Sequence, residues 1–80
     1  MRLDKYLKVS RIIKRRTVAN DACDAAHVTV NGRPAKASYD VKVGDLIEVT
    51  FGARTLRVRV LEVRETVGKD AASSLYEVVE

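Results

Sequence analysis

Eighty residues allow a single domain rather than several, and a chain this short buries only about 60–65% of the surface its unfolded form exposes. Lys and Arg number 15 against 11 Asp and Glu, a net charge of +4, and no apolar run is long enough to span a membrane. The lone Cys23 excludes an internal disulfide and, with the lone His27, a His/Cys metal cluster.

The charge is concentrated at one end. Arg2, Lys5, Lys8, Arg11, Lys14, Arg15 and Arg16 face a single acid, Asp4, so residues 2–16 carry seven minus one, or +6, and residues 17–80 carry −2. A local excess of one sign in a small domain points to a polyanionic partner. The stretch also has helical periodicity. At 100° per residue Leu3, Tyr6 and Leu7 share one arc, and Arg2, Lys5 and Lys8 share the opposite one. One side is suited to burial and the other to phosphates.

This first helix is expected to end near Val9 or Ser10, with 11–16 as a connector anchored by Ile12 and Ile13. Thr17 is the expected N-cap of a second helix running to Ala26. Its small residues predict close packing, and Asp21 and Asp24 are expected to point away from any phosphate backbone. Arg15 and Arg16 precede this helix, where the dipole adds to their field. The pattern then changes to period two. Val28-Thr29-Val30 alternates and Asn31-Gly32 predicts a type I′ hairpin turn, with 33–36 returning at a sheet edge because Pro34 cannot donate to a ladder. A strand is predicted over 46–51, where Phe51 is assigned to the apolar face, and a turn at Gly52-Ala53. A longer strand over 55–65 changes its apolar phase, which predicts a bulge near Val60-Leu61. Residues 66–74 read as a mobile polar segment and 75–79 as a closing strand. The fold class is α+β, with two N-terminal helices on a small twisted, mostly antiparallel sheet of about five strands.

Catalytic chemistry is nearly absent from the pattern. There is no Gly-rich phosphate loop and no nucleophile elbow. Cys23 and His27 lie four apart, but nothing signals the cleft or oxyanion site that a nucleophilic pair requires. No cofactor, metal or enzymatic activity is expected. Asp4 has two readings, as a helix-start charge or partner of Lys8, or as a support holding a neighbouring arginine in a fixed pose. The basic face is poor in aromatics, which favours recognition of a folded nucleic acid by its backbone shape over stacking on single strands.

The blocks Arg2-Leu3-Asp4-Lys5-Tyr6-Leu7, Ser10-Arg11, Arg15-Arg16-Thr17, Val28-Thr29-Val30-Asn31-Gly32, Lys36-Ala37-Ser38 and Val43-Gly44-Asp45 together resemble the RNA-binding domain named after small-subunit ribosomal protein S4, the alpha-L motif. The resemblance covers about residues 2–50, with 51–80 as a strand extension of one domain, 1–80. It implies RNA-binding positions at Arg2, Lys5, Lys8, Arg11, Lys14, Arg15, Arg16 and Lys36, with Asp4 as the supporting acid and Arg33 beside the turn as a less defined contact. The absence of an attached enzyme and the tail over 61–78 resemble the bacterial ribosome-associated quality control members of the family. That implies binding to rRNA of a large ribosomal subunit still holding a peptidyl-tRNA, and cooperation with an RqcH-type factor in C-terminal alanine tailing. A related heat-shock member has a longer basic tail, which this chain, with Glu77 and Glu80, lacks. A cytoplasmic monomer is expected: charge interrupts the N-terminus every third residue, unlike a signal peptide. Two other classes stay open, an RNA-targeting subunit of a modifying enzyme and a protein-interaction module that recruits a partner at a sheet edge.

Overall fold

The computed structural model describes residues 1–79. Helix α1 spans Leu3–Val9 and α2 spans Arg16–Asp24, followed by strands β1 (Val28–Val30), β2 (Arg33–Pro34), β3 (Leu46–Phe51) and β4 (Arg54–Val60), a 3-10 helix (Lys69–Leu75) and β5 (Tyr76–Val78). The strands form one open antiparallel sheet in the order β2-β1-β3-β4-β5. This is the architecture predicted from the sequence.

Helix α1 is only seven residues long, too short to persist alone. It is held by tertiary contacts. Leu3, Tyr6 and Leu7 are fully buried, and burial of each leucine contributes about 1.5–3 kcal/mol. No side chain caps its start. Instead the segment after β2 supplies carbonyls: Leu3 N–H donates to Tyr39 O at 2.8 Å and Asp4 N–H to Ala37 O at 3.2 Å. Two of the orphan donors of the first turn are thereby satisfied. At the other end Ser10 is the C-cap and Arg11 takes a left-handed φ of 63°, the position that usually belongs to glycine.

Helix α2 begins earlier than the sequence pattern suggests. Its N-cap is Arg15, not Thr17, and no side chain caps it. It also stops at Asp24, closed by a Schellman arrangement in which Ala26, at φ 61°, donates to Cys23 O and His27 N–H to Ala22 O. Asp21 and Asp24 are exposed, while Ala19 and Cys23 pack into the core. The core continues across the inward face of the sheet through Val28, Val30, Ile47, Val49, Val58 and Val60.

The hairpin forms at Asn31-Gly32, with φ of 54° and 83°, and Pro34 lies on the outer strand as its missing donor requires. Asn31 does more than turn the chain. Its Nδ2 donates to Asp45 Oδ1 at 3.1 Å and its Oδ1 accepts from Leu46 N–H at 3.0 Å. Asp45 also accepts from Tyr39 Oη at 2.8 Å and Lys42 N–H at 3.0 Å. The turn is thus tied to the start of β3.

Three expectations for the second half need correction. No bulge repairs the long strand: β4 ends at Val60, and Leu61 and Glu62 N–H both turn to Leu75 O, at 2.8 and 3.1 Å. Stopping the ladder lets Val63 and Val67 reach the core from irregular chain. The 66–74 segment is not a loose loop, because its 3-10 turns bury Ala72 and Leu75. Phe51 is half-exposed at the end of β3, rather than on the apolar face.

Candidate nucleic-acid interface

Asp4 is the centre of the basic region. It follows the buried Leu3 and is itself only 2% exposed. Arg2 Nε lies 3.2 Å from Oδ1 and Arg16 Nε 3.4 Å from Oδ2. Asn20 Nδ2 donates to Oδ2 at 3.4 Å, and Lys5 N–H donates to Oδ1 at 2.8 Å. Burial pushes the carboxyl pKa up, but the hydrogen bonds from Arg2, Asn20, Arg16 and the Lys5 N–H outweigh it and hold it below the ordinary aspartate value. The acid therefore stays ionised and joins the starts of both helices. Of the two readings of Asp4, the geometry matches the one in which it holds arginines in place, and it holds two.

Arg2 and Arg16 keep about half of their side-chain surface in solvent. Arg2 engages Asp4 through Nε and, at 3.5 Å, through Nη2, and Arg16 engages it through Nε, so each guanidinium retains N–H groups for other acceptors. A planar fork held at one edge is suited to phosphate oxygens.

Lys5, Lys8, Arg11, Lys14 and Arg16 line one groove, together with Val9 and with Glu65, Thr66 and Val67 from the far end of the chain. Five of the eight predicted binding positions thus converge. The left-handed turn at Arg11 is the local device that ends α1 and carries Arg11 and Lys14 round to the same groove. Arg2 joins through Asp4. Arg15 is exposed at the N-cap of α2 but does not line the groove. Lys36 is exposed in a second concavity along the hairpin with Arg33, Pro34 and Tyr39. It immediately precedes Ala37, whose carbonyl caps α1.

Sequence reasoning missed Asn20 and Glu65. Asn20 had a usable signal, because it lies four residues after Arg16 and so shares its helix face. Glu65, which pairs with Lys5 Nζ, had none. Cys23 is buried, and burial, aided by the charges of Asp4 and Asp24, pushes its thiol up to about 11, so it is protonated at neutral pH. His27 is exposed just past the end of α2.

Comparison with known proteins identifies the family. Residues 1–47 match the S4 domain. The RQC P-site tRNA stabilizing factor of Streptococcus pneumoniae is 53% identical over 79 residues, covering 99% of this chain and 90% of that protein. The factor of the same name from Bacillus subtilis is 48% identical, with 99% and 92% covered. Among solved structures, the trimeric Heat Shock Protein 15 of Vibrio cholerae superposes with a TM-score of 0.92 at 29% identity, covering 99% of this chain and 81% of that one. The chain belongs to the S4-domain family, in the branch that contains the RQC P-site tRNA stabilizing factors.

Proposed function

We propose that this protein is a non-enzymatic RNA-binding factor of ribosome-associated quality control. In this reading it is a single cytoplasmic domain, acting as a monomer. It binds rRNA of the large ribosomal subunit and the peptidyl-tRNA retained there, and so supports an RqcH-type factor during C-terminal alanine tailing. The names of the full-length relatives support the P-site tRNA as a ligand class. No helix among the described residues is long and apolar enough to cross a membrane.

The observation that carries the reading is the ionised Asp4 fixing Arg2 and Arg16 beside a groove of further cations. The contacts are of the kind that position a protein on a sugar-phosphate backbone and carry no base information themselves. Lys8, Lys14 and Arg15 add exposed charge around it, and Lys36 extends the surface towards the hairpin.

Pelleting with purified large subunits across a salt series tests this. Arg2→Ala and Arg16→Ala each weaken binding and flatten the slope of log affinity against log salt by roughly 0.7–0.9 per lost phosphate contact. Arg57→Ala and Arg59→Ala serve as controls of equal charge change. They have little effect, because Glu48 and Glu77 already lie 3.6 and 3.9 Å from those guanidinium groups. Equal losses in all four variants mean that net charge alone governs binding, and the site is then wrong.

A second reading, a heat-shock-type factor that recycles large subunits, is favoured by the close superposition on Heat Shock Protein 15. The readings separate on the particle. A quality control factor working with an RqcH-type partner restores alanine tailing to cells lacking it, and a recycling factor does not.

A further inference from the structure

The basic groove contains an acid that the binding role does not call for. Among the described residues lining it, five are cationic and one, Glu65, is anionic. Glu65 pairs with Lys5 Nζ on the lining of the groove that would meet phosphates. It lies outside residues 1–47, which match the S4 domain, so the cations come from the shared domain and the acid from the extension.

Its position is built, not incidental. Before it, Leu61 and Glu62 are hydrogen-bonded to Leu75 O, and Tyr6 of α1 donates its hydroxyl to that same carbonyl at 2.8 Å. On either side of it, Val63 and Val67 pack against the core. The segment is thus fastened to α1 by one shared acceptor and by two apolar anchors. Nearby Arg64 is engaged by Glu62 at 3.4 Å, which leaves Glu65 as the charge directed at Lys5.

We infer that Glu65 is a specificity-determining residue: it occupies Lys5 in the place of a phosphate, so that Lys5 engages only an RNA backbone shaped to displace it. This deepens the RNA-binding reading above and rests on it. The pair is open to solvent, with 34% of the Lys5 side chain and 71% of Glu65 exposed. Exposed pairs of this kind are weak and readily exchanged. A phosphate held on the groove's other cations can therefore take over Lys5. A flexible, unspecific strand gains no such fixed placement and meets a groove with one cation masked and one carboxylate repelling it. Suppressing generic binding raises selectivity because competing RNA is far more abundant than any one site.

The test uses the full chain with two probes, a polyuridine oligonucleotide and purified large subunits, each across a salt series. Glu65→Gln keeps the shape and removes the charge. It binds polyuridine more tightly, with the salt slope steeper by about 0.7, the equivalent of one added contact to a single strand. Binding to large subunits changes less, so selectivity falls. In the Glu65→Gln background, Lys5→Met reverses that gain, because the freed cation is then no longer there. Glu65→Ala repeats the measurement without an amide, and thermal unfolding confirms that each variant is folded. An unchanged or flatter polyuridine slope in both Glu65 variants overturns the inference, as does an equal gain on both probes. If the unaltered protein binds neither probe at low salt, the RNA-binding reading has failed and the role of Glu65 falls with it. Binding without a Glu65 effect removes the inference alone.

Discussion

The two halves of the molecule treat their charges in opposite ways. In the sheet extension Arg57, Arg59 and Arg64 each have a carboxylate of their own, from Glu48, Glu77 and Glu62 at 3.4 to 3.9 Å. In the helical half Arg2 and Arg16 share one buried acid, while Lys8, Arg11 and Lys14 face solvent with no carboxylate within 4 Å among the described residues. These three arginines are thus matched one to one by acids, while the cations of the helical half outnumber theirs. Net charge is a poor guide to the location of a polyanion site. The useful quantity is how many cations each acid must serve.

The most severe way to break this contrast is to remove the shared acid. Asp4→Asn leaves Arg2 and Arg16 beside each other with no counter-charge. Breaking a fully buried pair costs about 3–5 kcal/mol, and the solvent exposure of both arginines reduces the expected loss to about 1–3 kcal/mol. RNA binding falls by more than in Arg2→Ala, because both guanidinium groups lose their pose. Denaturant titration and pelleting measure the two effects. The pH dependence adds a sign. A depressed carboxylate pKa contributes stability that is present above the unfolded value, near 4, and is lost as pH falls through the lower folded value. The unaltered protein therefore loses part of its stability on acidification below about pH 4, and Asp4→Asn has a shallower acid limb.

Gly32→Val tests whether the hairpin belongs to the same surface. A Cβ there meets nothing within 4 Å, so the strain comes only from the φ of 83°. The expected cost is about 1–3 kcal/mol, with reduced RNA binding as the turn, the Asn31–Asp45 bond and Lys36 shift together. Unchanged melting and unchanged binding separate the hairpin from the site.

Tyr6→Phe probes the join between the halves. It removes the hydroxyl that donates to Leu75 O, while Leu61 and Glu62 N–H still satisfy that carbonyl. The loss is therefore near the ordinary value for one hydrogen bond, about 0.5–1.5 kcal/mol. Hydrogen exchange detects it as faster exchange at Leu61 and Glu62. The smallest effect belongs to the double variant Cys23→Ala with His27→Gln. The thiol is buried and protonated and the imidazole lies outside the basic groove, so complementation of a deletion strain is unchanged where the variant is folded. Loss of complementation by a folded, RNA-binding variant reveals chemistry at that pair.

Much of this molecule was legible before its folding was known, and the legible parts are local. The period of Leu3, Tyr6 and Leu7, the positive φ demanded at Asn31-Gly32 and the crowding of seven cations into residues 2–16 each depend on a few consecutive residues. Such signals work because backbone geometry repeats every two or 3.6 residues. They failed at α2, whose start is set by contacts of Arg16 with Asp4 rather than by a side-chain cap at Thr17. They failed again at Val60, where a change of apolar phase ended the strand instead of bulging it.

Sequence alone determined the fold class, the basic end and the hairpin. Only the tertiary structure decided that Asp4 is buried between two helix starts, that residues 66–74 are ordered by Ala72 and Leu75, and that Glu65 returns to Lys5 across 60 positions of chain. The bond from Tyr6 to Leu75 spans 69. Pairings at that separation carry no periodic signature. They arise because a small core can be closed only when the end of the chain packs against its first helix, and the charges carried by that end go where the packing takes them.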